Sequence, residues 1–169
     1  MIRLTRRYRF SASHRLDAPQ LTSSENAALY GKCNNPYGHG HDYVLEVRVE
    51  GPVDAATGQA LRVSTLDTLV ATEVLQDFEY RYFNLDVPEF AELVPTSENI
   101  ATVIDQRLRR GWPEAFPGGL PHLDSIRLLE TERNLFELSM NPPHNGDRAP
   151  KEATNSKLDR RAAPGPVRL

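Results

Sequence analysis

The chain has a single cysteine, Cys33, among 169 residues, which excludes an internal disulfide and is expected of a reducing compartment. It also lacks any apolar run near the roughly 20 residues that a membrane-spanning helix needs. Four arginines fall within residues 1–10, but no apolar signal core follows them, so a cytoplasmic protein with no membrane partner is expected. Excess positive charge is absent too: 20 Lys and Arg stand against 23 Asp and Glu, a net −3, which argues against a nucleic-acid partner. Hydrophobic residues, by contrast, make up an ordinary 39%, enough for the core of one domain without covalent staples.

The charge is unevenly placed. Residues 1–140 carry 14 basic and 20 acidic side chains, net −6, whereas residues 141–169 carry 6 and 3, net +3. From Asn141 the only large apolar residues are Leu158, Val167 and Leu169. One folded domain over 1–140 and a disordered tail over 141–169 are therefore expected.

Tyr8, Phe10, Ala12 and His14 alternate with Arg7, Arg9, Ser11 and Ser13, the period of a half-buried strand. Beyond His41 the pattern returns with Tyr43, Leu45, Val47 and Val49 on one face. Gly51-Pro52 and Thr57-Gly58 mark a turn, which predicts a returning strand over 60–63. Ser64 or Thr65 is expected to cap a helix with Leu66, Leu69, Val70 and Val74 on its buried face. Residues 78–90 read as an irregular aromatic segment. Pro95-Thr96-Ser97-Glu98 then supplies a second cap, before Ile100, Val103, Ile104 and Leu108 at helical spacing, with an end at Gly111-Trp112-Pro113. Residues 124–132 and 133–138 read as the last two strands. The class is α+β: an antiparallel sheet covered on one face by two helices.

Three histidines, His14, His39 and His41, share the apolar parity of their strands. A buried imidazole needs a partner for each ring nitrogen, and a metal would satisfy one nitrogen of each ring. Three neutral imidazoles with an open position make a catalytic zinc arrangement. The alternative is two loop histidines beside Gly38 and Gly40 and one core histidine. Glu130 shares the parity of Ile126 and Leu128, where a carboxylate needs a donor: the guanidine-like edge of a heterocycle, an Arg partner, or solvent at a strand end. Cys33, six residues before His39, is either inert or a nucleophile or base whose thiolate Lys32 and a nearby cation would favour.

The stretch Phe10-Ser-Ala-Ser-His14-Arg-Leu, the block Tyr30-Gly-Lys-Cys33-Asn-Asn-Pro36-Tyr-Gly-His39-Gly-His41-Asp-Tyr43, then Asn84-Leu-Asp-Val-Pro-Glu-Phe90, Pro95-Thr-Ser-Glu-Asn99 and Leu129-Glu130-Thr131 resemble the 6-pyruvoyl tetrahydropterin synthase family. They fall in family order across about residues 4–139. The Cys-Asn-Asn-Pro form is closer to the pyruvoyl synthases of tetrahydrobiopterin biosynthesis than to the sister 6-carboxytetrahydropterin synthases of the queuosine pathway.

The resemblance implies the tunnelling fold, a four-stranded antiparallel sheet with two helices on one face. Copies of such a chain join into an oligomeric barrel, expected here as a homohexamer of two trimers. It implies Zn²⁺ on His14, His39 and His41, a pterin anchored by Glu130 beside Thr96 and Ser97, and Cys33 as the catalytic cysteine. The substrate implied is 7,8-dihydroneopterin triphosphate, and the reaction is triphosphate elimination with internal redox on the side chain. One departure stands out: where the family places Asp-His to complete a triad with the cysteine, this chain has Glu79-Tyr80. Tyr80, with a reference pKa near 10, is then a candidate proton donor, and His122 reads as a surface residue. The competing readings are a pterin binder that has lost turnover and a homologue with altered chemistry, such as retro-aldol cleavage.

Overall fold

The computed structural model describes residues 1–139, so the tail expected over 141–169 lies outside the described residues. Four strands, β1 (Ile2–His14), β2 (His39–Gly51), β3 (His122–Leu129) and β4 (Leu135–Ser139), form one antiparallel sheet in the order β1-β2-β3-β4. Phe10, Tyr43, Leu45, Val47, Ile126 and Leu128 point to the covered face and are buried there. The opposite face carries cross-strand ion pairs: Arg3 to Glu50, Arg7 and Arg127 to Glu46, and Arg48 to Glu137. Such pairs satisfy a charged face without a second layer of helices.

The first helix, α1 (Ser23–Tyr30), is one that apolar periodicity does not announce. Its signal is the capping box Thr22-Ser-Ser-Glu25, in which the Thr22 hydroxyl accepts from the Glu25 N–H and Glu25 accepts from the Thr22 N–H. Its one buried residue is Asn26, which accepts from the Ala18 N–H and donates to the Ala18 and Leu21 carbonyls. Polar bonds rather than an apolar stripe dock this helix, and a 3₁₀ turn, Gly31–Asn34, follows it.

No strand forms over 60–63. β2 already pairs with β1 on one side and β3 on the other, so it has no free edge for a returning strand. Asp54 instead closes a local turn by accepting from the N–H groups of Ala56 and Thr57 and from the Thr57 hydroxyl. Helix α2 (Val63–Val70) then starts at Arg62, which makes no side-chain cap, so neither Ser64 nor Thr65 has the expected capping role. It passes through a π turn, Ala71–Leu75, into α3 (Gln76–Phe78). The aromatic segment is more ordered than expected, with α4 (Phe83–Asp86) and a 3₁₀ turn, Pro88–Ala91. Helix α5 (Ser97–Ala115) is capped by Thr96, as the sequence predicts, but runs past Gly111-Trp112-Pro113. Trp112 is anchored by its indole N–H on the Pro121 carbonyl, and a proline in the last turn forfeits only one helical bond. β3 and β4 both end earlier or start later than predicted because residues 130–134 fold into a turn closed on Thr131.

Arg107 of α5 ties these pieces together. Its guanidinium donates twice to Glu89, once to Asp77 and once to the Glu73 carbonyl, and lies 5.1 Å from the centre of the Phe78 ring. The bond to Glu73 falls within the π turn, where a side chain takes up a backbone carbonyl. Arg107→Met is expected to cost about 2 kcal/mol, because half-buried Glu89 and exposed Asp77 lose their cation and the Glu73 carbonyl loses its donor. A lower urea midpoint at unchanged slope would show this.

Candidate active site

The three histidines meet because two strands are in register. His14 ends β1 directly opposite His39, which opens β2, and Ala12 lies opposite His41. Residues 39 and 41 are two apart on an extended strand and so project to the same side. The approach to His39 requires glycine at 38: φ is +70°, and a Cβ there would lie 2.8 Å from the Tyr82 ring and 2.9 Å from the His14 carbonyl. The three ring centres are 4.7, 5.0 and 4.7 Å apart.

The nitrogens converge as well. His14 Nδ1 donates to the Pro95 carbonyl at 2.7 Å, which leaves a lone pair on its Nε2. That Nε2 lies 3.2 Å from His39 Nε2, while His41 Nε2 is buried with no hydrogen bond. One candidate ligand nitrogen from each ring falls within 4.8 Å of the other two. A proton between His14 and His39 would leave His41 unsatisfied; a cation satisfies all three, so the donor set fits a metal. Burial, ahead of the neighbouring imidazoles, drives the His14 pKa down to about 4, and burial lowers that of His39 too, so both rings are neutral as metal ligands must be.

Three loops close on this cluster. Glu130, one residue past β3, brings Oε1 to 3.8 Å from His14 Nε2 and 3.7 Å from His41 Nε2. Of the partners the sequence left open for it, no arginine pairs with it among the described residues, and its carboxylate is 14% exposed. Cys33 is held by its carbonyl, which accepts from the Leu16 N–H, and by Asn34, which donates to the Leu16 carbonyl. Burial, and then the charge of Glu130, raise the thiol pKa. The third loop is Pro95-Thr96-Ser97: Thr96 accepts from the Asn99 N–H as helix cap, and the Ser97 hydroxyl is buried without a partner.

Glu79 and Tyr80 lie elsewhere in the chain. Glu79 accepts from the Ser11 N–H, the Tyr80 N–H donates to the Ser11 carbonyl, and residues 80–82 run along the outer edge of β1. Tyr80 is exposed at φ +57°, a conformation that costs a non-glycine residue about 1 kcal/mol or more. An open cleft of about 400 Å³ joins it to Arg81, Ser13 and His41, and Cys33 is not in its lining. His122 opens β3 opposite Glu50, at the far end of β2 from His39.

A single-sheet α+β chain with a three-histidine cluster at one end of the sheet has the tunnelling fold and a candidate metal centre. A worm homologue of known structure, the 6-pyruvoyl tetrahydropterin synthase of Caenorhabditis elegans, superposes with a TM-score of 0.74 at 32% identity, over 83% of this chain and 96% of that one. The family model described as 6-pyruvoyl tetrahydropterin synthase matches residues 3–141. The 6-pyruvoyl tetrahydrobiopterin synthases of Poecilia reticulata and Homo sapiens are each 39% identical over 132 residues, covering 78% of this chain and 86% and 87% of the relatives. The chain belongs to the 6-pyruvoyl tetrahydropterin synthase family.

His14 sets a pH dependence on the metal-free protein. Its folded pKa lies below the unfolded value near 6.5, so its stabilising effect is complete above that value and is lost as pH falls toward 4. Thermal unfolding of the metal-free chain is expected to lose about 3 kcal/mol of stability across this window, and less in His14→Asn. A flat profile would place the ring in a more polar setting.

Proposed function

We propose that this chain is a metal-dependent pterin lyase that converts 7,8-dihydroneopterin triphosphate to a 6-pyruvoyl tetrahydropterin with elimination of triphosphate. The observation that carries this reading is the convergence of three imidazole nitrogens beside Glu130 and Cys33, in a chain of this family. His14, His39 and His41 would hold the metal, and three neutral imidazoles with an open position suit Zn²⁺. When bound, that ion supplies Lewis acidity to a side-chain hydroxyl and positive charge that favours the Cys33 thiolate.

The protein's own residues do the rest. The Glu130 carboxylate accepts the N–H groups of the pterin's guanidine-like edge and so fixes the ring. Cys33 takes the proton released from the side-chain carbon, and its place in a backbone-bonded 3₁₀ turn holds its sulfur near Glu130. Pro95 orients His14, and Ser97 offers a hydroxyl with no other partner. Tyr80 serves as proton donor and Glu79 as its orienting partner: a hydrogen bond to Glu79 and that residue's charge raise the Tyr80 pKa and keep the phenol protonated. The sheet leaves two edges, β1 and β4, so closure into a barrel needs further copies, proposed as a homohexamer of two trimers. Among the described residues no helix is long and apolar enough to cross a membrane.

A second reading, pterin binding with altered or lost turnover, is favoured by one observation: an exposed tyrosine stands where the family has histidine.

Zinc-loaded protein incubated with dihydroneopterin triphosphate is expected to yield a pyruvoyl pterin and an equal amount of triphosphate, separated by chromatography with mass detection. Binding without product would select the second reading. Tyr80→Phe is expected to lower kcat about 100-fold with little change in KM. Unaltered turnover removes Tyr80 from the reaction, and a gain in Tyr80→His with Glu79→Asp would show that histidine is the better relay.

A further inference from the structure

Tyr43 is the largest fully buried side chain among the described residues. Its ring is fixed on three sides, stacked on Phe10 at 5.0 Å and 18° and flanked by His41 at 5.5 Å and Phe83 at 6.1 Å. Yet its hydroxyl is buried with no hydrogen bond. A phenylalanine would fill the same space without stranding a polar group, so the hydroxyl opposes folding unless a partner is supplied later.

The sheet register shows which partner is near. Tyr43 pairs with Phe10 across β1, and the last β2–β3 pair is Val44 with Leu129. Glu130 follows directly after that pair, as the first residue of the turn that ends β3, and keeps the parity of Leu128 and Ile126, the face that also carries His41 and Tyr43. Burial first, then the charges of Glu130 and Cys33, keep the phenol protonated, so it is a donor next to an acceptor. The Glu130 carboxylate leans toward two histidine nitrogens but accepts no hydrogen bond among the described residues. The Tyr43 hydroxyl, without a partner, and the Glu130 carboxylate, without a hydrogen bond among the described residues, are thus groups of complementary chemistry on one face of the sheet.

We propose that Tyr43 is the positioning residue of Glu130: its hydroxyl donates to the Glu130 carboxylate in the ligand-bound site and sets the direction in which that carboxylate receives the donor edge of the pterin. This rests on the pterin reading above and adds a residue to it. Tyr43 is not one of the three histidines that would hold the metal, although its ring packs on His41.

The test is a double-mutant cycle on neopterin binding to the zinc-loaded chain, followed by the ligand's fluorescence, together with thermal unfolding of the metal-free forms. Tyr43→Phe is expected to weaken binding about tenfold, as loss of a hydrogen bond to a charged group does. Glu130→Gln should weaken it further, and the double variant should bind no worse than Glu130→Gln alone. The metal-free Tyr43→Phe protein should melt at or above the parent temperature, because no hydroxyl is stranded. Parental affinity in Tyr43→Phe, losses that multiply in the double variant, or a lowered melting temperature would each overturn the proposal. A parent chain that does not bind neopterin overturns the pterin reading itself, and this inference with it.

Discussion

The register between β1 and β2 is the constraint on which the site depends. Two 13-residue strands pair so that His14 faces His39, Ala12 faces His41 and Phe10 faces Tyr43. A slip of one residue would turn all of these side chains to the other face, because side chains alternate along a strand. The same register sends arginines and glutamates to the opposite face, where Arg7, Arg127 and Glu46 close on one another. Core burial and charge pairing therefore select a single alignment, and the histidine cluster is carried into place by it.

What surrounds the cluster is held chiefly by backbone hydrogen bonds. The Pro95 carbonyl orients His14, the Cys33 carbonyl receives Leu16, and the turn after β3 is tied to Thr131. A site built this way keeps its side-chain functions free for a ligand. Among the buried polar atoms without a hydrogen-bond partner, His39 Nδ1, His41 Nε2, Tyr43 Oη and Ser97 Oγ belong to the cluster and its neighbours, while Ser125 Oγ and Arg127 Nε lie further along β3. Buried polar groups are costly without partners, so the four at the cluster suit a place that a ligand completes.

Arg107 has a different task. It stands in α5 and reaches the π turn, the end of α3 and the turn at Glu89 at once. These segments lead directly into Glu79 and Tyr80, whose backbone then lies along β1. A single guanidinium with five fixed donors can satisfy several acceptors on separate elements, which lysine cannot do.

The strands that carry the histidines, the helix that starts from Pro95-Thr96-Ser97-Glu98, the antiparallel α+β class and the candidate ligand set were legible along the chain. Each is a local signal: alternation, capping chemistry, or parity with apolar neighbours. Its motifs also pointed to the family that the comparisons show. The rest depends on contacts between distant segments. No strand forms at 60–63 because β2 has both edges occupied, which is a fact of sheet order. Helix α1 docks through Asn26, a polar contact that apolar periodicity does not register, although its capping box stood in the sequence. The Cys33 thiol is shifted upward by burial and by the charge of Glu130, which lies distant in sequence. Tyr43, legible only as a core aromatic, feels the charge of Glu130 because pairing of β2 with β3 brings together residues that no window along the chain contains.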